Sequence, residues 1–118
     1  MAEIAVREYL APNGRSPYQN WFDTLPESTA ARVAIAILRL EEGNVSNVKG
    51  VGEGVFECRI NWGPGYRVYF GKDGDAVVIL LGGSSKQRQA EAIARAREHW
   101  GDYKARKKRS RMLRKIWP

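Results

Sequence analysis

Apolar positions recur along the chain with two different periods. From Ile4 to Leu10 the apolar residues Ile4, Val6 and Tyr9/Leu10 sit around Arg7 and Glu8, which predicts a short strand ended by Ala11-Pro12-Asn13-Gly14. The period then becomes helical, with Tyr18, Trp21, Phe22 and Leu25 at i, i+3, i+4 and i+7. Ser16-Pro17-Tyr18-Gln19 supplies the start: a capping serine, a proline suited to the first helical position, and a glutamine three residues after the cap. Thr24-Leu25-Pro26-Glu27 has the same form and opens a second helix through Ala30, Val33, Ala34, Ile37 and Leu40, stopping at Gly43. Two helices in such close succession are expected to form a hairpin. The glycine-rich residues 43–54 (GNVSNVKGVGEG) read as a connecting loop, with Lys49 its one base.

Three strand-like runs follow. Phe56, Cys58, Ile60 and Trp62 alternate with Val55, Glu57, Arg59 and Asn61, and after the turn Gly63-Pro64-Gly65, Tyr66, Val68 and Phe70 alternate with Arg67 and Tyr69. Gly71-Lys72-Asp73-Gly74 is a second turn, and Ala76 to Leu81, apolar on both faces, predicts a buried inner strand. A last helix begins at Ser84 as cap with Gln87 at the third position, and Ile93, Ala96, Trp100 and Tyr103 line one side of it. The order β-α-α-β-β-β-α predicts an α+β single domain: a mostly antiparallel four-stranded sheet with helices packed on one face. Alternation sends Phe56, Cys58, Ile60, Trp62, Val68 and Phe70 to the core. It leaves Glu57, Arg59, Arg67 and Tyr69 together on an open face.

A length of 118 residues, with 43% hydrophobic and 28% charged positions, bounds this to one globular domain. The single cysteine, Cys58, excludes an internal disulfide and a cysteine-based zinc site, so a cytoplasmic location is expected. No pattern of an export signal is visible, and the longest apolar run is far below the ~20 residues that cross a bilayer, so no membrane association is expected. The net charge of +7 is concentrated: residues 104–118 hold eight Lys/Arg and no acid, leaving 12 bases against 13 acids elsewhere. Two readings stand for this tail, a solvated terminus and an electrostatic hold on a polyanion. Met112, Leu113, Ile116 and Trp117 within it have the spacing of a short amphipathic turn able to dock on the body or on a partner.

The open strand face also has two readings. Exposed sheet faces carry charge for solubility, and a surface ion pair there contributes well under ~1 kcal/mol. Arginine, however, offers phosphate oxygens a planar fork, and Tyr66 or Tyr69 is suited to stacking on a base. Ser84-Ser85-Lys86 at a helix start adds backbone donors and a cation. Other chemistries lack their signatures: His99, the sole histidine, stands late in the last helix, no Ser/His/Asp constellation is apparent, the carboxylates form no metal site, and no glycine run fits a phosphate loop.

The block Gly54-Val55-Phe56-Glu57-Cys58-Arg59-Ile60, then Gly63-Pro64-Gly65-Tyr66-Arg67-Val68-Tyr69-Phe70, then Ala76 to Gly83, resembles the "addiction module killer protein" group, HigB-like toxins of the RelE/ParE superfamily. Trp21, Leu25, Lys86, Gln89, Ile93, Ala96 and Trp100 extend the resemblance over residues 2–103, with 104–118 as a basic tail outside it. The chain departs from the group where it reads Gly83-Ser84-Ser85-Lys86 in place of the usual Gly-Gly-Asp-Lys, and where Ala92 replaces an aspartate. The resemblance implies a RelE-like fold and a type II toxin that cleaves messenger RNA, usually on the translating ribosome, without a cofactor. It also implies a HigA-like helix-turn-helix antitoxin, through which alone the toxin would meet operator DNA. ParE-type toxins, which poison DNA gyrase, are the alternative on the same fold.

Metal-free RNA cleavage needs the 2′-OH in line with the adjacent phosphorus, charge stabilisation on the phosphorane, and a proton for the leaving 5′-oxygen. On that requirement Arg67 is expected to hold the scissile phosphate, Arg59 to share the role or orient Glu57, Lys86 to stabilise charge or supply a proton, and Glu57 to act as general base or arginine orienter. Tyr66, Tyr69, Lys49, Ser85 and Arg88 are the expected RNA contacts.

Overall fold

In the computed structural model, which describes residues 3–116, the strands are β1 (Ala5–Glu8), β2 (Val48–Gly52), β3 (Val55–Ile60), β4 (Tyr66–Lys72) and β5 (Val77–Ser85). The helices are α1 (Pro17–Phe22), α2 (Glu27–Glu41) and α3 (Gln89–Ile116), the last preceded by a 3-10 turn at Lys86–Arg88. The fold is α+β around one mixed sheet of order β1-β5-β4-β3-β2. β1 runs parallel to β5, and the other three pairings are antiparallel.

Two sequence expectations are corrected here. The sheet has five strands rather than four, because Val48–Gly52, read as loop, pairs with β3 through Val48↔Cys58, Lys49↔Glu57 and Gly50↔Phe56 before a bulge at Gly50/Gly52. The turn back into β3 uses positive φ at Gly52, Glu53 and Gly54, a conformation that two glycines reach without Cβ strain.

The helices, moreover, do not share one face. Tyr18, Val33 and Leu40 of α1 and α2 pack with Cys58, Ile60, Val68, Phe70, Val78 and Leu80 on one side. Ala96 and Trp100 of α3 pack with Tyr9, Val55, Tyr69, Ile79 and Leu81 on the other. Strand alternation assigned the first face correctly. The helical stripe Ile93, Ala96, Trp100, Tyr103 was also real, but it covers the face expected to be open.

Each face seats a tryptophan on a glycine. An added Cβ at Gly71 would stand 2.4 Å from the Trp100 ring, and one at Gly83 would stand 2.2 Å from the Trp21 ring, so each strand admits its indole only because the side chain there is hydrogen.

The helix ends follow the expected signals in part. Ser16 Oγ accepts from the Gln19 backbone N–H at 3.0 Å, but the Gln19 side chain turns to Asp23. Thr24 does not cap α2: its hydroxyl donates to the Trp21 carbonyl at 2.6 Å, and Pro26 occupies the cap position. Gly43, at φ 86°, ends α2 as expected. Ser84 does not cap the last helix either, because it lies inside β5, where its hydroxyl meets Tyr69 Oη at 3.0 Å and donates to the Ser85 carbonyl.

α3 passes through residues 103 and 104 without a break. Tyr103 Oη donates to Asp73, Lys107 pairs with Asp73, and Arg106 bridges Asp102 and the Leu10 carbonyl, so the first bases of the tail hold the helix to the body. Met112, Leu113 and Ile116 are exposed; Trp117 lies outside the described residues.

His99 stacks on Tyr9 with ring centroids 4.9 Å apart, and burial holds its pKa below the ordinary 6.5. The folded chain thus binds the proton less readily than the unfolded chain. The stability tied to this stack is complete above the unfolded pKa and is lost as pH falls through the lowered folded one. The melting temperature is expected to drop between about pH 7 and about pH 5, with His99→Phe dropping less. Equal drops in the two proteins would show that this imidazole does not contribute.

Candidate functional site

β3 and β4 pair in register, placing Glu57 opposite Tyr69 and Arg59 opposite Arg67. β2 extends the first row with Lys49 opposite Glu57, and β5 extends the second with Ser84 opposite Arg67. Since directly paired residues project to the same side, Lys49, Glu57, Arg59 and Arg67 share the α3 face of the sheet, at the end beyond the packed indole of Trp100.

Like charges directly opposite one another destabilise a sheet, and the Arg59–Arg67 pair is relieved by a carboxylate. Arg67 Nε lies 3.1 Å from Glu57 Oε2, with both side chains 9% exposed. The contact lacks hydrogen-bond geometry, so Arg67 Nε and Glu57 Oε2 are buried without a hydrogen-bond partner among the described residues. Arg67 Nη1 donates to the Tyr66 carbonyl at 3.2 Å. The same nitrogen approaches Gly65, whose other flank is the Lys86 side chain; an added Cβ there would lie 3.5 Å from Lys86 Cβ and 3.8 Å from Arg67 Nη1. The Lys86 backbone N–H donates to the Gly65 carbonyl at 3.0 Å, tying the 3-10 turn to the β3–β4 turn. Asn61 to Gly65, Arg67 and Lys86 together line a cleft of about 370 Å³.

The expected residues therefore separate into groups. Arg67, Glu57 and Lys86 converge. Arg59 and Lys49 lie exposed on the same face, without an ion pair among the described residues.

Tyr69 corrects the expectation of an outward aromatic. It is 0% exposed, behind the ion pair, and burial raises its pKa, so its ring offers no surface for stacking. Tyr66 is on the opposite face, half-buried against the core beneath α1 and α2. Ser85 pairs across from Tyr66, and Arg88 opens on a separate hollow with Gln87, Ala90 and Glu91. The open concave face is thus narrower than alternation alone implies, because α3 covers most of it.

Three residues near the site escaped sequence reasoning. Ser84 was read as a helix cap and instead braces Tyr69 from β5. Arg32 and Arg39, seven residues apart on α2, were not singled out, yet they line a cleft that meets the Arg67 cleft at Asn61 and Trp62. Their i, i+7 spacing was the available signal.

Among the described residues no three His, Cys, Asp or Glu side chains cluster as a metal site requires, and no helix is long and apolar enough to cross a membrane. Cys58 is buried, which raises its thiol pKa and leaves it a small core residue.

No family model matches the chain. It is similar to a protein of Haemophilus influenzae named only as an uncharacterized protein: the two are 38% identical over 81 residues, spanning 68% of this chain and 82% of the other. The two proteins belong to one family.

Proposed function

We propose that the chain is the toxin of a type II toxin–antitoxin pair, a HigB-like member of the RelE/ParE superfamily that cleaves messenger RNA on the ribosome and is neutralised by a helix-turn-helix antitoxin. The observation that carries this reading is the guanidinium of Arg67. It is buried among Glu57 and the Tyr66 carbonyl, with Nη1 directed at the Gly65 edge of a cleft shared with Lys86.

A guanidinium fixed on one side by a carboxylate and a carbonyl keeps its remaining N–H groups aimed in a set direction, which suits recognition of a phosphate. Lys86 supplies a second, mobile cation on the opposite flank, where charge grows on the phosphorane oxygens or on the departing 5′-oxygen. In the reaction the 2′-oxygen loses its proton and bonds to phosphorus, the P–O5′ bond breaks, and the 5′-oxygen takes up a proton. The products are a 2′,3′-cyclic phosphate and a 5′-hydroxyl, with no water consumed. Glu57, already engaged by Arg67, acts as its orienter.

The test is a translation extract in which messenger ends are mapped after adding the purified protein. Cuts in the reading frame that vanish with Arg67→Lys, which keeps the charge and loses the fork, support the proposal. Intact messenger together with inhibited DNA supercoiling would replace it with a gyrase poison.

A further inference from the structure

The far end of α3 has no covering layer: every residue from Lys108 to Ile116 is exposed. The root of this segment is fixed. Lys107 pairs with Asp73, Arg106 pairs with Asp102, and the Lys104 ammonium lies 5.7 Å from the Trp100 ring centre. From this root outward the bases fall into a row. Lys104, Lys108, Arg111 and Lys115 recur at i, i+4, i+7 and i+11, the spacing that lines side chains along one side of a helix. The row prolongs the position of Trp100, four residues before Lys104, so a side of α3 that is apolar against the sheet turns basic where the helix leaves the body. No acid occurs in residues 104–118, and among the described residues none of the four bases has an ion-pair partner. Like charges at i, i+3 and i, i+4 destabilise a helix, a cost that a matching row of anions reverses.

We infer that Lys104, Lys108, Arg111 and Lys115 form a docking rail for the backbone phosphates of ribosomal RNA, which holds the protein on the ribosome at a distance from the cleft of Arg67 and Lys86. The inference rests on the reading of the chain as a ribosome-bound messenger nuclease and deepens it, since it names the surface that meets the ribosome. Charge complementarity selects the occupant: cations in line with no acid among them fit a polymer that carries a negative charge on every nucleotide. The rail also stands away from the scissile strand. α3 starts at Gln89, next to the turn that carries Lys86, and at 1.5 Å per residue Lys104 follows about 22 Å along the axis and Lys115 about 39 Å along it. The RNA on the rail is therefore a different stretch from the one cut at Arg67. A protein groove fits less well. It takes apolar anchors at i, i+3 or i+4, and i+7, whereas the exposed Met112, Leu113 and Ile116 cover a single turn and Lys108 and Arg109 stand where the preceding anchors would be. A second copy of the chain would bring like charge to like charge.

The experiment measures co-sedimentation of the full chain with purified, messenger-programmed ribosomes from about 50 to 200 mM salt at constant magnesium, with messenger ends mapped in parallel. Each phosphate contact contributes about −0.7 to −0.9 to the slope of log affinity against log salt, so the triple variant K108Q/R111Q/K115Q is expected to flatten the slope by about 2–3. Its affinity for ribosomes at the lowest salt should fall at least tenfold. The three side chains are exposed, and glutamine supports a helix nearly as well as lysine or arginine, so the fold is retained and an unchanged melting temperature checks this. The companion variant M112Q/I116Q is expected to bind as the wild type does. An unaltered slope in the triple variant, with ribosomes still bound and messenger still cut, overturns the inference and leaves the proposed function standing. A slope that flattens as expected, while the wild type leaves messenger intact, supports the rail and removes the nuclease. A wild-type chain that does not sediment with ribosomes and cuts no messenger removes both. Binding lost in M112Q/I116Q but kept in the triple variant assigns this end of α3 to a protein surface and equally overturns the inference.

Discussion

Arg67→Ala is expected to abolish RNA cleavage and to destabilise the fold by about 3–5 kcal/mol, because it strands the Glu57 carboxylate in a buried position without its counter-charge. The two effects are separable. Replacing both members with apolar residues of similar volume, Glu57→Leu with Arg67→Met, removes the charge that has to be paired and is expected to bring stability back to within about 1–2 kcal/mol of the wild type. That double variant should fold and still cut nothing. Urea unfolding reads the first quantity and mapped messenger ends the second. Should the folded double variant cleave at the wild-type rate, Arg67 does not hold the reacting phosphate. Should Arg67→Ala unfold at the wild-type midpoint, the ion pair contributes nothing to the fold.

The second large effect lies at the opposite end of the same face. Gly71→Ala places a methyl group within 2.4 Å of the Trp100 ring, against a β4 backbone fixed by strands on both sides, and is expected to cost about 1–3 kcal/mol or more. Trp100→Ala empties the centre of the α3 core and is expected to cost about 3–5 kcal/mol. Combining them should cost clearly less than the sum, since the methyl then enters space that the indole has vacated. Strict additivity of the denaturation midpoints would show that the ring does not rest on this glycine.

These two positions also mark how far the sequence could be read. Period-two alternation placed Phe56, Cys58, Ile60, Val68 and Phe70 on one face and Glu57, Arg59 and Arg67 on the other, because the pleat leaves no third option. It could not say which face α3 would cover, since the stripe Ile93, Ala96, Trp100, Tyr103 fits either side equally well. On the charged face the hydrogen at Gly71 leaves the room in which the Trp100 indole is seated. β2 escaped notice because Val48 and Val51 are three residues apart, a spacing that breaks the alternation of a strand until the bulge at Gly50/Gly52 is known. Charge was the least legible property. Glu57 and Arg67 look like solvent-facing residues until α3 is laid over that face, while Arg32 looks idle until its guanidinium is seen stacked on Trp62.

The parallel pairing of β1 with β5 imposes an order on how the chain matures. Ala5 meets Val77, and Glu8 meets Leu80, so β1 waits during synthesis for a partner 72 residues behind it. At about 5–20 residues per second that wait lasts on the order of 4–14 s during synthesis. Lys86 emerges later still, after β5, so the cleft it shares with Arg67 cannot assemble while the nascent chain is short. On the proposed reading, the chain therefore has no phosphate-holding cleft until the segment carrying β5 and Lys86 has been made.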